Sequence, residues 1–425
     1  MLRVYEKGDA EYAARLAALC DRNATLPPEF EAAARTVVAQ VRAGGDAALR
    51  ALTLRFDKRE LGAIELAAAE WDALAAKVTP EVRAALEHAV RRVRAFHERE
   101  RYSSFEIAEA GIRVGSRVTP LDRIGIYVPG GKALYPSTVI MTAVPARAAG
   151  VREIVMVTPG PSPETMAAAR LSGVDRVFRI GGAQAIAALA YGTETVPRVD
   201  KIVGPGNGYV AAAKRLVFGD VGIDSIAGPT EVVIGADDSV DPAWIAADLL
   251  AQAEHDEVAV PILLARGAAF AHRVAAEVDK QLATLPRRKI AERSVQDQGA
   301  VFVVDSDDEL VDAMNRLAPE HAELAVRNAR ALAERVTTAG ALFLGAHTPE
   351  PVGDYIAGPS HVLPTSGNAR FASPLGVADF VKRTSIIEYS AEALAAQAAD
   401  IERLTAVEEL HAHGRAVTIR TRAKE

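Results

Sequence analysis

The sequence that decides the fold class is RIGIYVPGG at residues 123–131, a short β-branched run that ends in a Pro-Gly-Gly turn. It is followed by PSTVIMTAVPARAAG at residues 136–150, where apolar residues recur at helical spacing. The same order of strand, glycine-rich turn and helix then repeats through REIVMVTPG, VDRVFRIGG and DKIVGPGNG. This alternation is typical of a parallel sheet whose strands are connected by helices.

A second series of alternating strands and helices begins near residue 235 with TEVVIGADD and continues to GALFLG. We therefore predict an α/β protein with two Rossmann-like α/β domains and an incomplete dinucleotide fingerprint, plus small helical N- and C-terminal segments. Residues 1–110 show mostly helical periodicity. The predicted division is an N-terminal helical segment (1–25), a discontinuous first α/β domain (26–122 and 236–378), a second α/β domain (123–235) and a C-terminal segment (379–425).

The composition argues against several classes of protein. The 425 residues are 49% hydrophobic and 25% charged, with a formal net charge of −7 and no long basic run, so we expect neither nucleic acid nor a membrane as a partner. The single cysteine, Cys20, rules out an intrachain disulfide and a thiolate-rich metal site. We expect a cytoplasmic protein, because the N-terminal residues lack the apolar core of a signal peptide and no membrane-length apolar run is present.

Three glycine-rich turns follow predicted strands: VPGG (128–131), IGGAQ (180–184) and VGPGNG (203–208). In parallel sheets such turns lie at the carboxyl ends of strands, where backbone N–H groups can approach a phosphate. None of them is the G-x-G-x-x-G fingerprint, because GPGNGY departs from it at the final glycine. On this pattern alone, a nucleotide-like ligand and a purely structural role both stay open.

Polar residues interrupt an apolar run at residues 249–260, LLAQAEHDEVAV. Gln252 and His255 are three residues apart and would share one face of a helix. With Asp354 and His413 they could form a four-ligand site for Zn²⁺, since imidazole nitrogens and carboxylate or amide oxygens suit that ion. The alternative is a set of capped helices and loop turns.

Glu320 and His321 form a second candidate site, in APEHAE. From a loop or a first helical turn, both side chains could enter one cleft and act as two separate bases. A surface Pro-Glu-His turn explains the same pattern.

Taken together, the motifs resemble the histidinol dehydrogenase family: GIYVPGG, GGAQAIAALA, KIVGPGNGYVAAAK, DSIAGPTEVVIGADD, LLAQAEHD, LAPEHAEL, GDYIAGPSHVLPT, SPLGVADFVKRTS and HGRAVTIR occur in this order. The resemblance covers about residues 30–420. It implies the last two oxidations of histidine biosynthesis, from L-histidinol through L-histidinal to L-histidine, with reduction of two NAD⁺.

The resemblance also implies roles for particular residues. One Zn²⁺ per subunit would be held by Gln252, His255, Asp354 and His413. The catalytic pair would be Glu320 and His321. Substrate would contact Thr230, Gln252, His255, His321, Asp354, His361, Glu408 and His413. The second α/β domain would bind NAD through Tyr127, Gln184 and Asn207.

The family is a homodimer with shared active sites, so the C-terminal segment is expected to pack on the partner subunit, with Glu408 and His413 in its site. Two positions depart from the family pattern: Thr230, where serine is frequent, and Ser360, where asparagine is frequent. Neither is an implied metal ligand.

The implied mechanism divides the proton transfers between two residues. Neutral His321 would take the hydroxyl proton as hydride leaves, and Glu320 would deprotonate the water that hydrates the aldehyde. Zinc would orient the substrate through its imidazole and amino nitrogens. A thiohemiacetal route would need a cysteine in the site, and Cys20 lies outside every motif.

Three other functions fit parts of the pattern. A sister dehydrogenase would use the same zinc scaffold on another alcohol, a zinc hydrolase would use Glu320 to activate metal-bound water, and a two-domain binding protein would have no catalysis. His361, Glu408 and SPLGVADFVKRTS favour histidinol, and the glycine turns disfavour a hydrolase.

Overall fold

The computed structural model describes residues 2–22, 26–130 and 134–421, and its frame is two parallel sheets. The strands, in chain order, are β1 (Val4–Tyr5), β2 (Phe105–Glu109), β3 (Ile112–Pro120), β4 (Arg123–Tyr127), β5 (Glu153–Val157), β6 (Arg176–Phe178), β7 (Lys201–Val203), β8 (Gly222–Ile223), β9 (Glu231–Ala236), β10 (Val260–Arg266), β11 (Ala300–Val304), β12 (His321–Ala325), β13 (Ala341–Leu344) and β14 (Val381–Tyr389).

Helices connect most of these strands. They are α1 (Tyr12–Cys20), α2 (Pro28–Asp57), α3 (Ala68–Ala75), α4 (Pro80–His97), α5 (Pro136–Ala149), α6 (Pro163–Ser172), α7 (Gly182–Tyr191), α8 (Gly208–Val217), α9 (Pro242–Ala253), α10 (Ala268–Leu282), α11 (Arg288–Asp297), α12 (Asp307–Leu317), α13 (Ala329–Ala333), α14 (Glu350–Tyr355), α15 (Ala391–Val407) and α16 (His411–Thr421). None of the helices in the described ranges is long and apolar enough to cross a bilayer.

The five-stranded sheet has the order β6-β5-β4-β7-β8, with every pair parallel. Helices α2, α7 and α8 cover one of its faces, and α3 to α6 cover the other. Its central strands are buried on both faces, as expected for a parallel sheet enclosed by helices.

The six-stranded sheet has the order β1-β11-β10-β9-β12-β13 and is also parallel. Helices α9, α10 and α11 cover one face, and α1, α12 and α13 cover the other. The two predicted series of strands and helices therefore correspond to two sheets, and the predicted α/β fold class is confirmed.

The packing groups the chain differently from the predicted domain ranges. Helices α2 to α4 share their cores with the five-stranded sheet, whereas the predicted division groups residues 26–122 with 236–378. The strand β9 extends the six-stranded sheet, and so does β1 from the N-terminal segment. The helical pattern of α2 indicates that one face is buried, but it does not indicate against which sheet.

A three-stranded antiparallel sheet, β14-β3-β2, lies outside both parallel sheets. Its strands β2 and β14 fall in stretches predicted to be helical. Their side chains are mostly exposed, so the sequence lacks the alternation that a half-buried strand produces. The predicted terminal and turn ranges also include residues 1, 23–25, 131 and 422–425, which lie outside the described residues.

The assignment of α2 to the core of the five-stranded sheet is testable with two leucines on the same helix. Leu49 is fully buried, whereas Leu54 is half exposed. We expect Leu49→Ala to lower the free energy of unfolding by about 2–5 kcal/mol because it leaves a cavity. The control Leu54→Ala should change it by less than about 0.5 kcal/mol. Urea denaturation measures both; equal effects would contradict the described packing.

Candidate active site

The principal cleft lies between the two parallel sheets and has a volume of about 1530 Å³. Its lining includes the segments that follow β4 and β7, at the carboxyl ends of the five-stranded sheet. Facing them are residues that precede β9, β10 and β12, at the amino ends of the six-stranded sheet. The prediction that glycine turns lie at carboxyl strand ends is confirmed. The Pro-Glu-His sequence at residues 319–321, in contrast, lies at the amino end of β12.

Parallel pairing of β9 with β12 positions Glu320. His321 pairs with Val232, so Glu320, just before β12, lies opposite Glu231, the first residue of β9. Glu320 Oε2 accepts hydrogen bonds from the Thr230 hydroxyl at 2.6 Å and from the Glu231 N–H at 3.0 Å. Glu320 therefore precedes a strand rather than entering the cleft from a helical turn.

The Glu320 carboxyl is buried, and burial raises its pKa to about 7. The charge of His321 and the hydrogen bonds from Thr230 and Glu231 oppose this rise. A carboxyl with a pKa near neutrality can take up and release a proton at ordinary pH, which suits a general base.

His321 opens β12 and is also buried. Its Nδ1 lies 3.1 Å from the carbonyl oxygen of Glu231 and 3.7 Å from Glu320 Oε2, while its Nε2 has no hydrogen-bond partner among the described residues. Burial favours the neutral imidazole, but the nearby carboxylates, led by Glu350 and Glu320, outweigh it and raise the pKa of His321 to about 9. In the metal-free protein the ring is therefore mostly protonated at neutral pH, and once it has lost that proton it is a strong base.

A group suited to a metal ion lies beside His321. Ligand atoms of His255, Glu350 and Asp354 all lie within 4.8 Å of one another. Glu350 and Asp354 are on the same face of α14, and His255 lies two residues beyond the end of α9. This set of imidazole and carboxylate donors fits Zn²⁺.

Gln252, on the last turn of α9, is fully buried and lies between the metal group and Glu320. One amide atom is 2.8 Å from Thr230 Oγ1, and with the amide oriented to satisfy its neighbours the nitrogen donates to Glu350 Oε2 at 2.9 Å. Of the four implied zinc ligands, Gln252, His255 and Asp354 converge on one region.

Glu350, Gln252, Thr230 and Glu320 form one hydrogen-bonded chain with two complete arrangements. In the first, protonated Glu350 donates to the amide oxygen, the amide N–H donates to Thr230, and the hydroxyl donates to ionised Glu320. In the second, every direction is reversed. Both arrangements require one proton between the two carboxyls, in agreement with the pKa of Glu350, which burial raises to about 8.

His361 lines the cleft on the far side of Asp354. Its Nδ1 lies 3.1 Å from the Asp354 carbonyl oxygen and its Nε2 3.5 Å from the Thr138 hydroxyl. Burial lowers the pKa of His361 and keeps the ring neutral. Ser360 lies next to it, and its hydroxyl donates to the Met141 carbonyl at 3.0 Å, so this departure from the family pattern has a structural partner.

The three predicted cofactor residues line the opposite side of the cleft. Tyr127 ends β4, and its hydroxyl accepts the N–H of Gly182 at 3.0 Å. Gln184 is buried in the first turn of α7. Asn207 caps α8, its Oδ1 accepting the N–H groups of Tyr209 and Val210. Two helix N-termini thus meet at the cleft, an arrangement suited to an anionic ligand.

Glu408 and His413 lie apart from the other predicted residues. Glu408 follows α15 and His413 is on α16; both are exposed, and neither lines the cleft. In a single chain, the predicted substrate and metal residues therefore come together without these two.

Two functional candidates were missed from the sequence. Glu350 follows Pro349 in a sequence without a recognised motif. Its role as a candidate is indicated only by the structure, in which Glu350 Oε1 lies 3.9 Å from His321 Nδ1. Glu231 is the second: its carboxyl accepts the Glu320 N–H at 3.3 Å and forms an ion pair with Arg22 at 3.1 Å. The acidic spacing of Glu350 and Asp354, four residues apart, was the available signal.

Comparison with known proteins identifies the family to which a chain with this site belongs. A family model described as histidinol dehydrogenase matches residues 20–421. The chain belongs to the histidinol dehydrogenase family. The histidinol dehydrogenase of Geobacter sulfurreducens is 53% identical over 99% of this chain and 100% of its own. That of Aquifex aeolicus is 49% identical over 97% of this chain and 98% of its own.

The fold agrees with that of the family. The crystal structure of histidinol dehydrogenase from Elizabethkingia anophelis matches 99% of this chain and 98% of its own, with 34% sequence identity and a TM-score of 0.93. The resemblance stated from the motifs is confirmed, and so is the prediction of an NAD-dependent oxidoreductase. This removes the hydrolase and the non-catalytic binding protein as alternatives.

The raised pKa of Glu320 makes the stability of the metal-free protein depend on pH. The unfolded carboxyl ionises near 4.5 while the buried one stays protonated to about 7, so this residue lowers the free energy of unfolding as pH rises between those values. The full loss is about 3 kcal/mol. Glutamine does not ionise, so in Glu320→Gln the free energy of unfolding should fall by about 3 kcal/mol less over this pH range.

Urea denaturation with a chelator present, at a series of pH values from 5 to 8, measures the effect. The control Glu60→Gln removes an exposed carboxyl, and its free energy of unfolding should change with pH as in the wild type. An unchanged slope in Glu320→Gln would contradict the assigned pKa.

Proposed function

We propose that this chain is a zinc-dependent, NAD-linked histidinol dehydrogenase that oxidises L-histidinol through L-histidinal to L-histidine in two hydride transfers. The observation that carries the proposal is the position of the Glu320–His321 pair. It lies in the cleft between the group suited to a metal ion (His255, Glu350 and Asp354) and the glycine turns of the five-stranded sheet. Family membership and the names of the relatives support histidinol as the alcohol.

Gln252, His255 and Asp354 would hold the metal from this chain, with His413 supplied by a second copy. When bound, Zn²⁺ would supply Lewis-acid binding of the substrate's imidazole and amino nitrogens, which fixes the reacting carbon in place. Donor chemistry and mutual distance support the set, because an imidazole and carboxylates converge at one point. Glu350 adds a further negative charge to this region.

His321 is the proposed base of the first oxidation. Neutral His321 takes the proton of the primary hydroxyl as the hydride of the same carbon leaves to NAD⁺, which gives the aldehyde and NADH. The carboxylates of Glu350 and Glu320 then stabilise the imidazolium that forms. Such general-base assistance contributes roughly 10²–10⁴ in rate.

Glu320 is the proposed base for hydration of the aldehyde. Its ionised carboxyl takes a proton from water as the water oxygen adds to the carbonyl carbon, and the imidazolium of His321 returns its proton to the carbonyl oxygen. The hydrate is needed because loss of hydride from it gives the carboxylic acid, whereas loss from the free aldehyde would leave an acylium ion. The hydrogen bonds from Thr230 and Glu231 fix the carboxyl in one orientation. His321 takes the hydroxyl proton again in the second oxidation.

NAD is proposed to bind at the carboxyl end of the five-stranded sheet, in contact with Tyr127, Gln184 and Asn207. The uncapped N-terminus of α7 and the N-terminus of α8 would face its phosphates. NAD bound there would face His321 across the cleft.

The proposed function is tested by counting NADH formed per L-histidinol. We expect two NADH, no activity after chelation, and recovery on addition of Zn²⁺. One NADH per substrate would reject the four-electron reaction, and full activity after verified metal removal would reject the metal requirement. Oxidation of another alcohol in preference to histidinol would favour the sister dehydrogenase.

The division of labour between the two bases predicts different effects on the two steps. Glu320→Gln should leave oxidation of histidinol to histidinal largely intact and slow oxidation of the aldehyde by roughly 10²–10⁴, because the amide cannot deprotonate water. Stopped-flow measurement of NADH with each substrate separates the steps. Equal loss in both would contradict the separate role of Glu320.

A homodimer with shared sites is proposed because Glu408 and His413 are exposed and remote from the cleft of their own chain. Glu320→Ala and His413→Ala proteins, neither of which should convert histidinol to histidine, should then complement each other in histidine formation. Half of the randomly exchanged dimers are hybrids with one intact site of two, so about a quarter of wild-type activity is expected. A Glu320→Ala/His413→Ala double variant mixed with itself is the control, and no recovery after confirmed exchange would contradict sharing.

A further inference from the structure

A buried ion pair lies behind the turn that carries Asn207. Lys214, on α8, and Asp224, just after β8, form a salt bridge in which the two side chains are only 3% and 5% exposed. No step of the proposed mechanism uses either residue. Removing two charges from water is costly, and buried pairs are often replaceable by apolar residues without loss of stability, so stability alone is a weak explanation for this one.

Each member of the pair also binds the backbone of the same residue, Gly204. Lys214 Nζ donates to the Gly204 carbonyl oxygen at 3.1 Å, and Asp224 Oδ2 accepts the Gly204 N–H at 2.7 Å. The two charged groups therefore hold both backbone polar groups of a single glycine. Gly204 is the first residue after β7, where the VGPGNG turn leaves the sheet.

The conformation held in this way is one that only glycine adopts easily. Gly204 has φ +112°, and a Cβ at this position would lie 2.3 Å from the carbonyl oxygen of Tyr127. The turn thus passes directly against the end of β4. Gly204 therefore connects two of the proposed cofactor contacts: it lies against the carbonyl oxygen of Tyr127, and Asn207 follows it three residues later in the turn.

Asp224 also begins the segment that joins the two sheets. Its Oδ1 accepts the Ser225 N–H at 2.7 Å, and six residues after Asp224 the chain reaches Thr230, which binds Glu320. Within that segment, the Gly228 N–H donates to the Thr365 hydroxyl at 2.7 Å. The cofactor turn and the catalytic carboxyl are therefore connected through one short, hydrogen-bonded stretch.

We propose that Lys214 and Asp224 are positioning residues for the cofactor: the pair clamps the Gly204 peptide groups and so holds the 203–208 turn in the shape that receives NAD. The inference rests on the proposed binding of NAD at this turn. Both residues line the cleft, but their hydrogen bonds go to each other and to the backbone of Gly204 and Ser225, not to His255, Glu350 or Asp354. The effect of the pair should therefore be confined to the nicotinamide cofactor.

The central test is the double variant Lys214→Met/Asp224→Asn, which removes both charges together and leaves no unpaired one. Titration calorimetry on the zinc-loaded protein measures the Kd for NAD and for histidinol separately. We expect the Kd for NAD to rise about tenfold or more while the Kd for histidinol and the zinc content stay within about twofold. The KM for NAD should rise by the same factor.

The matched control is Arg176→Met/Glu65→Gln. This pair is bidentate, at 2.8 and 2.7 Å, and Arg176 begins β6 at the opposite, amino end of the same sheet. It should lose thermal stability without a change in the Kd for NAD. Gly204→Ala disturbs the turn without touching either charge, and it should reproduce the weakened NAD binding.

The outcomes separate this inference from the proposed function. If the wild-type protein does not bind NAD, the proposed function fails. If the wild type binds NAD and the Lys214/Asp224 double variant binds it within about twofold, the positioning role is rejected, whatever the change in thermal stability. If the double variant and the Arg176/Glu65 control weaken NAD binding equally, the effect is general destabilisation and the inference is also rejected.

Discussion

The candidate site depends on the register of β9 against β12. Because His321 pairs with Val232, Glu320 lies opposite Glu231, where its Oε2 accepts the Glu231 N–H and the hydroxyl of the preceding residue, Thr230. A shift by one residue would turn both side chains to the other face of the sheet. The same register sets His321 Nδ1 against a strand carbonyl, while no described residue hydrogen-bonds its Nε2, so one backbone pairing orients both proposed bases.

Around this pair the protein buries more acid than base. Glu323 and Glu350 are buried, Asp248 is half-buried, and burial raises the pKa of each, to about 6 for Asp248 and about 8 for Glu350. Isolated charges of one sign are expensive in such surroundings, and protonation, His321 or a bound cation can each relieve them. The electrostatics of the site and its proposed metal requirement thus have the same origin.

The sequence was sufficient for the fold class and for most residues of the site, because both have local signatures. Alternating strands, turns and helices predicted two parallel sheets, and Gln252, His255, Asp354 and Glu320 were identified from motifs. It was insufficient where the partner decides the outcome. The apolar face of α2 does not specify its sheet, and Glu350 gains significance only through contact with His321 and Gln252. The carboxyl-end rule for ligand sites holds for one sheet, while the other contributes its amino end.

The last helix, α16, has no buried residue among the described ones, although it spans eleven positions. Within its own chain it packs against α15, which is itself mostly exposed, and a helix of this length is marginal in water without further tertiary cover. If a second subunit covers α16, the fraction of molecules in which this helix is folded therefore depends on protein concentration. Dilution would then release the tail at protein concentrations where both sheets are still intact, and inactivation on dilution would precede any loss of the global fold.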